Sequence, residues 1–242
     1  MNFVTWSGTQ YRAGEPHPVE DTIVLETTFR ILLNGEEVAS QVASDEQLAE
    51  LGAGFVIGEG LAEKVDSVVV EGDAILVTAP RRCDAATETG SSGGVSYRCA
   101  VGRVSSDLTV TPAEVQAVTE AIFSEDWQRT GALHCSVLFC DGRLVAKACD
   151  VGRHNSVDKV VGAAVIGGLD RSRCVLACTG RQPSGMVRKA ANAGIPVLVS
   201  RAASTDQGIA TAEEAGIMLI CFSRGDRFTV YTHPERMGGP PA

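Results

Sequence analysis

The chain is short of positive charge: 21 Lys and Arg stand against 30 Asp and Glu, a formal net charge of −9. Such a molecule repels a phosphate backbone as a whole, which excludes bulk nucleic-acid binding and requires any anion site to be a local cluster of basic residues. Long apolar runs are also missing. No stretch approaches the roughly 18 to 20 residues of a membrane span, and the start "MNFVTWSGTQYRAG" has no basic segment followed by an apolar core. The expected setting is therefore the cytoplasm, with no membrane partner. Among the eight cysteines there is no C-x-x-C, no C-x-x-C-H and no paired Cys/His zinc spacing, so no metal is expected and the thiols are expected to be mostly reduced. No internal repeat is present.

What remains is an ordinary globular composition, 44% hydrophobic over 242 residues, enough for one large domain or two small ones. Cys135, Cys140, Cys149, Cys174, Cys178 and Cys221 sit in or beside apolar, strand-like runs, where cysteine acts as a small buried hydrophobe. Cys83 and Cys99 differ, because they flank the polar, glycine-rich "DAATETGSSGGVSYR".

The predicted class is α/β (α+β as a whole), with an N-terminal α+β domain over 1–82, a linker over 83–108 and an α/β core over 109–242. In the first unit, β-type runs surround Asn34-Gly35, a hairpin pair. Ser44 and Gln47 form a capping-box pattern ahead of a helix that carries Leu48, Leu51, Phe55 and Val56 and stops at Gly58 and Gly60. The runs "SVVVEG" and "AILVTA" are short strands. In the second unit, Thr111 and Pro112 open a helix, and Asp141-Gly142 turns a hairpin. Then follow helix 156–167, strand 173–178, helix 184–193, strand 195–200, helix 205–215, and strands 217–222 and 227–232. Strands alternating with helices imply a parallel portion covered on both faces.

In "CDVGRHNSVDKVVG", Asn155 is a suitable N-cap and Asp158 falls at the third helical position. Arg153 and His154 then lie at a helix N-terminus, a place suited to phosphate or carboxylate; alternatively Arg153 pairs with Asp150 or Asp158 and His154 only packs. Arg181, Arg201 and Arg224 each follow the carboxyl end of a predicted strand. Ligands of open α/β sheets bind in the crevice there, so these guanidiniums and Arg153 point to a nucleotide-like, multiply phosphorylated ligand.

The order of hairpin, histidine-opened helix, strand and proline-opened helix resembles the cytidine deaminase scaffold, where H-x-E and P-C-x-x-C hold zinc. Here those places read "HNS" and "PSGM". With no glutamate to move protons and no cysteine pair to bind zinc, deaminase chemistry is excluded, and the scaffold is expected to serve binding.

With "RTGALH", "DVGRHNSVDKVVG", "TGRQPSGMVRKAANAGIPVLVSRAAST" and "GIMLICFSRGDRFTVYTHPER", the chain resembles the formate dehydrogenase accessory sulfurtransferase family, FdhD. The resemblance implies a cytoplasmic homodimer with a cytidine deaminase-like core. It also implies a task, which is to pass persulfide sulfur from a cysteine desulfurase to the molybdenum bis(molybdopterin guanine dinucleotide) cofactor before that cofactor enters formate dehydrogenase. A guanine nucleotide would mimic the cofactor. The family's cofactor-binding segment falls on Phe222, Ser223, Arg224, Gly225, Asp226 and Arg227. Its loop cysteine falls on Ser91, and a hydroxyl cannot hold a persulfide. Either Cys99, beside Arg98 and Arg103, or Cys83, after Arg81 and Arg82, substitutes for it, or this member is a cofactor-binding carrier that moves no sulfur.

Overall fold

The computed structural model describes residues 3–82 and 101–238, with the backbone of 87–89 and 95–97 between them. The chain begins with a ribbon that the sequence pattern did not predict. Strands β1 (Phe3–Arg12) and β2 (Glu15–Val24) pair antiparallel through a two-residue turn in which Ala13 and Gly14 both take positive φ, the geometry that matches strand twist. Most of its side chains are exposed on both faces, Trp6 and Tyr11 included, so there is no apolar/polar alternation to reveal it.

Strands β3 (Thr27–Leu33) and β4 (Glu36–Ala43) turn at Asn34-Gly35 as expected. Helix α1 (Leu48–Gly58) follows, and β5 (Ser67–Glu71) and β6 (Ala74–Thr78) complete a four-stranded sheet of order β4-β3-β6-β5. The expected Ser44 capping box does not form. Gln47 occupies the N-cap position with φ 53° and no side-chain cap, because the Ser44 hydroxyl donates to the Asp150 carboxylate at 3.0 Å. A buried carboxylate competes for that donor more strongly than a half-exposed helix end.

Strands β7 (Thr87–Thr89) and β8 (Val95–Tyr97) lead to α2 (Pro112–Ala121), whose capping box between Thr111 and Glu114 is complete. Next come α3 (Glu125–Thr130), β9 (His134–Cys140), β10 (Arg143–Asp150), α4 (Arg153–Ile166), β11 (Cys174–Cys178), α5 (Ser184–Asn192), β12 (Val197–Ser200), α6 (Asp206–Ala215), β13 (Met218–Arg224) and β14 (Arg227–Val230). They build a six-stranded sheet of order β10-β9-β11-β12-β13-β14, parallel through β11, β12 and β13 and antiparallel at both sides. Alternate strand residues feed opposite cores: Leu176 and Cys178 join the layer of α4, α5 and α6, while Val175 and Ala177 pack toward Val115 and Val118 of α2 and Ile122 at its C-cap.

Helix α4 starts earlier than the sequence predicts. Gly152 is its N-cap, and Asn155 lies inside the first turn, with its amide donating to Val42 O at 2.7 Å and to Asp150 Oδ1 at 2.9 Å. Asp158 is consequently interior and pairs with Lys189 at 2.9 Å rather than facing the helix end. Cysteine pairing is a second correction. Register sets Cys135 opposite Cys149 and Cys140 opposite Cys174, and the structure pairs both couples as disulfides, whereas Cys178 and Cys221 are free and buried.

The two sheets share one core through α1 and α4. A Cβ on Gly54 would lie 1.7 Å from Asp158 O, and one on Gly162 would lie 1.9 Å from Glu50 O, so two helical backbones touch directly. Gly54→Ala is expected to lower stability by about 3 kcal/mol, while Gly185→Ala, with nothing within 4 Å of its Cβ position, should be near neutral. Denaturant unfolding of the two variants checks this; equal midpoints would mean that the helix contact yields easily.

Candidate functional site

A cleft of about 370 Å³ opens beyond the carboxyl ends of β11 and β12, lined by Trp127, Leu133, His134, Thr179, Arg201 and Arg224 among others. Arg201 follows β12 directly, and its guanidinium lies 4.1 Å from the ring centre of Phe123 and 5.9 Å from that of Trp127. Arg224 closes β13 and donates from Nε to Arg201 O at 3.0 Å. Burial, followed by the neighbouring charge of Arg224, lowers the Arg201 pKa.

A second pair, Arg153 and Arg181, lies near His134 but does not line the cleft. Arg153 begins α4 and packs on Gly180, where an added Cβ would come within 3.0 Å of the Arg153 Cβ. Its pKa is lowered by burial and then by Arg181. His134 holds Thr179 Oγ1 at 3.1 Å from its Nδ1, and its own pKa is lowered by burial and then by Arg153. All four arginines singled out in the sequence thus come to one end of the sheet. Arg153 and Arg201 are half-buried and each has an exposed second cation beside it, Arg181 and Arg224, an arrangement that favours an anion.

His154 adds no positive charge. Burial, then Lys189 and Arg153, push its pKa down to about 3, and its Nε2 is buried without a hydrogen-bond partner among the described residues. Of the segment Phe222 to Arg227, Arg224 lines the cleft. Ser223 is buried on the other side, its hydroxyl 2.6 Å from that of Thr119. Phe222 is exposed with φ 53°, Gly225 makes the turn into β14 with φ 58°, and Asp226 and Arg227 do not line the cleft.

Cys83, Ser91 and Cys99 lie outside the described residues. Arg82 and Gly102, which bracket that segment, line another cavity of about 390 Å³ with Arg103 and Arg171. Asp170 to Ser172 and Gly194 also border it, placing it at the amino ends of the parallel strands, opposite the basic cleft.

Sequence reasoning missed two sets of residues. His134, Thr179 and Trp127 come to the cleft from three elements, and only "RTGALH" hinted at the first. The second set is ionic and buried. Lys159 meets Asp150 at 2.6 Å, both side chains fully buried, and Lys189 meets Glu59 at 2.8 Å as well as Asp158. Burial alone would lower the Lys189 pKa, but Asp158 and Glu59 outweigh it and raise it. Among the described residues no group of three or more His, Cys, Asp or Glu is arranged to hold a metal ion, and no helix is long and apolar enough to cross a membrane.

Fold and site together define an α/β protein with a basic cleft at the carboxyl ends of its parallel strands. The chain belongs to the FdhD/NarQ family, whose model matches residues 24–238. It is 31% identical over 217 residues to a protein FdhD of Methanocaldococcus jannaschii, covering 89% of this chain and 90% of that one. It is 34% identical over 258 residues to the sulfur carrier protein FdhD of Anaeromyxobacter dehalogenans, covering 91% and 90%. A crystal structure of a candidate formate dehydrogenase accessory protein from Desulfotalea psychrophila is similar over 97% of this chain and 99% of that one, with a TM-score of 0.82 and 28% identity.

The His154 environment gives a pH dependence. The folded state keeps the ring neutral down to about pH 3, whereas the unfolded chain takes up a proton near the ordinary 6.5. Between those values the unfolded state binds more protons at this ring, so the His154 contribution to stability falls by about 2 kcal/mol between pH 7 and 5, while Asp158, which burial raises to about 7, contributes in the opposite sense. The stability difference between His154→Gln and the wild type should therefore change by about 2 kcal/mol in favour of the variant from pH 7 to 5; a difference independent of pH would show that the ring does not titrate differently in the two states.

Proposed function

We propose that this protein is an accessory sulfurtransferase for formate dehydrogenase. It accepts persulfide sulfur from a cysteine desulfurase and passes it to the molybdenum bis(molybdopterin guanine dinucleotide) cofactor, which is its substrate. The observation that carries this reading is that Arg201 and Arg224 line the cleft with His134 and Thr179 beyond the strand ends, with Arg153 near enough to His134, and Arg181 to Arg153, to shift their pKa values. A guanine dinucleotide cofactor presents phosphates, and guanidiniums are the side chains best matched to them in charge and geometry. Family membership and the relatives named as sulfur carriers support the same assignment.

In this reading Arg201 and Arg224 hold phosphate from one side while Arg153 and Arg181 hold it from the other. The platform of Phe123 and Trp127 under Arg201 fixes that guanidinium in place. Neutral His154, next to Arg153 in the chain, is buried and adds no charge to the site. The core that carries the cleft is a cytidine deaminase-like one without zinc, and the protein works in the cytoplasm as a homodimer, its clients being the desulfurase and formate dehydrogenase. One sequence fact favours a second reading, a carrier that binds the cofactor and moves no sulfur: serine stands at position 91.

Guanosine diphosphate serves as the test ligand. Calorimetric titration should show binding that Arg224→Ala weakens by about 1.5 to 3 kcal/mol, roughly 10- to 100-fold in Kd, without lowering thermal stability. Unchanged affinity would remove Arg224 from the site. Sulfur uptake on any cysteine after exposure to a desulfurase and cysteine separates the sulfurtransferase from the carrier.

A further inference from the structure

We propose that Cys149 and Cys135 form a sulfur-relay dithiol beside the basic cleft, with Cys149 the acceptor of persulfide sulfur and Cys135 the thiol that releases it as hydrosulfide. This rests on the sulfur-transfer reading and names the thiols that serve it. The two residues face each other across β9 and β10, and the structure joins their sulfurs. They differ in access: Cys149 is half-buried on the edge strand of the sheet, whereas Cys135 on the inner strand is fully buried. An incoming donor therefore meets Cys149 first, and Cys135 stands behind it.

Ser124 serves both sulfurs. Its Oγ lies 3.2 Å from Cys135 Sγ and 3.2 Å from Cys149 Sγ. It already accepts the Trp127 N–H at 3.0 Å, which leaves its own O–H free to donate to whichever sulfur is a thiolate. The pair is also tied to the cleft wall. Cys135 N donates to Thr179 Oγ1 at 3.1 Å, Thr179 N donates to Cys135 O at 3.0 Å, and His134, the next residue, lines the cleft with Thr179. The other described cysteines are poorer candidates. Burial pushes the Cys178 thiol up to about 11 and the Cys221 thiol up to about 12, and the buried pair Cys140 and Cys174 lies at the far end of β9 from the cleft.

The chemistry balances in three steps. The Cys149 thiolate attacks the terminal sulfur of the desulfurase persulfide; the donor S–S bond breaks, the donor leaves as thiolate, and Cys149 becomes the persulfide. The Cys135 thiolate then attacks Cys149 Sγ, and the terminal sulfur leaves as hydrosulfide with the electron pair of the broken bond. That sulfur is reduced by two electrons and the two cysteines are oxidised to the disulfide. An external dithiol reductant returns the pair to thiols by exchange and is itself oxidised. Hydrosulfide, an anion, is released one residue along the chain from His134, which lines the cleft with Arg201 and Arg224.

The experiment begins with the fully reduced protein, a cysteine desulfurase and free cysteine, followed by rapid alkylation and peptide mapping, with released sulfide measured in parallel. The wild type should release sulfide and gain the disulfide between Cys135 and Cys149. Cys135→Ser should stop with one added sulfur on Cys149 and lose sulfide release, Cys149→Ser should do neither, and the double variant Cys140→Ser with Cys174→Ser should behave as wild type. Guanosine diphosphate titration of each variant reports an intact fold, and disulfide formation in the wild type needs no variant at all. Sulfur found on Cys83 or Cys99 and unaffected by either substitution would overturn the relay while leaving the sulfur-carrier reading in place; sulfur on no cysteine would overturn both.

Discussion

The Asp150 carboxylate is the constraint on which the two sheets depend. It is fully buried at the end of β10, and such a charge is tolerated only when donors surround it. Lys159 Nζ meets its Oδ2 at 2.6 Å, with Ser44 Oγ at 3.0 Å and Ser44 N at 3.1 Å on the same oxygen. Gly152 N at 2.8 Å and Asn155 Nδ2 at 2.9 Å serve Oδ1. These donors come from the segment after β4, from the turn into α4 and from α4 itself. One carboxylate thus fixes where α4 begins and seats the four-stranded sheet against the six-stranded one, and Arg153 owes its place near His134 to that same turn.

The contact of α1 with α4 follows from this seating. Gly54 and Gly162 let the helices approach until carbonyls and α-carbons touch, leaving no room between them for long side chains. Polar groups caught near that interface must be satisfied in place. Lys189 does so by reaching both Asp158 and Glu59 while lying 5.0 Å from the ring centre of Phe55. Close backbone packing and buried ion pairs are here two sides of one arrangement, and the pairs specify which helix faces meet as much as they stabilise the result.

Much of this was legible in the sequence where the signal is local. Asn34-Gly35, Asp141-Gly142 and the Thr111–Glu114 box each carry their turn or cap chemistry in adjacent residues, and the alternation of strands and helices after residue 140 gave the parallel sheet. The placement of Arg201 and Arg224 in a cleft at the strand ends was legible too, because each directly follows or closes an apolar strand-like run. What escaped depends on partners distant in the chain. Ser44 looks like a cap until Asp150 claims its hydroxyl, and Asn155 looks like a cap for the same reason. The cysteine pairs escaped because register, not spacing, sets them opposite each other. The first ribbon escaped because it buries neither face.

That ribbon differs in kind from the rest of the molecule. Among the described residues its twenty strand residues pair only with each other, and it touches the body near its base, where the Arg129 guanidinium lies 4.2 Å from the ring centre of Phe3. A two-stranded hairpin without a packed face is marginally stable in water. Its backbone amides can therefore open to solvent without disturbing the sheets, at a free-energy cost far below that of global unfolding. Deuterium would enter β1 and β2 early while β11 and β12, enclosed on both faces, retain their protons until the whole core opens, so the molecule carries a fast-exchanging arm on a slow-exchanging body.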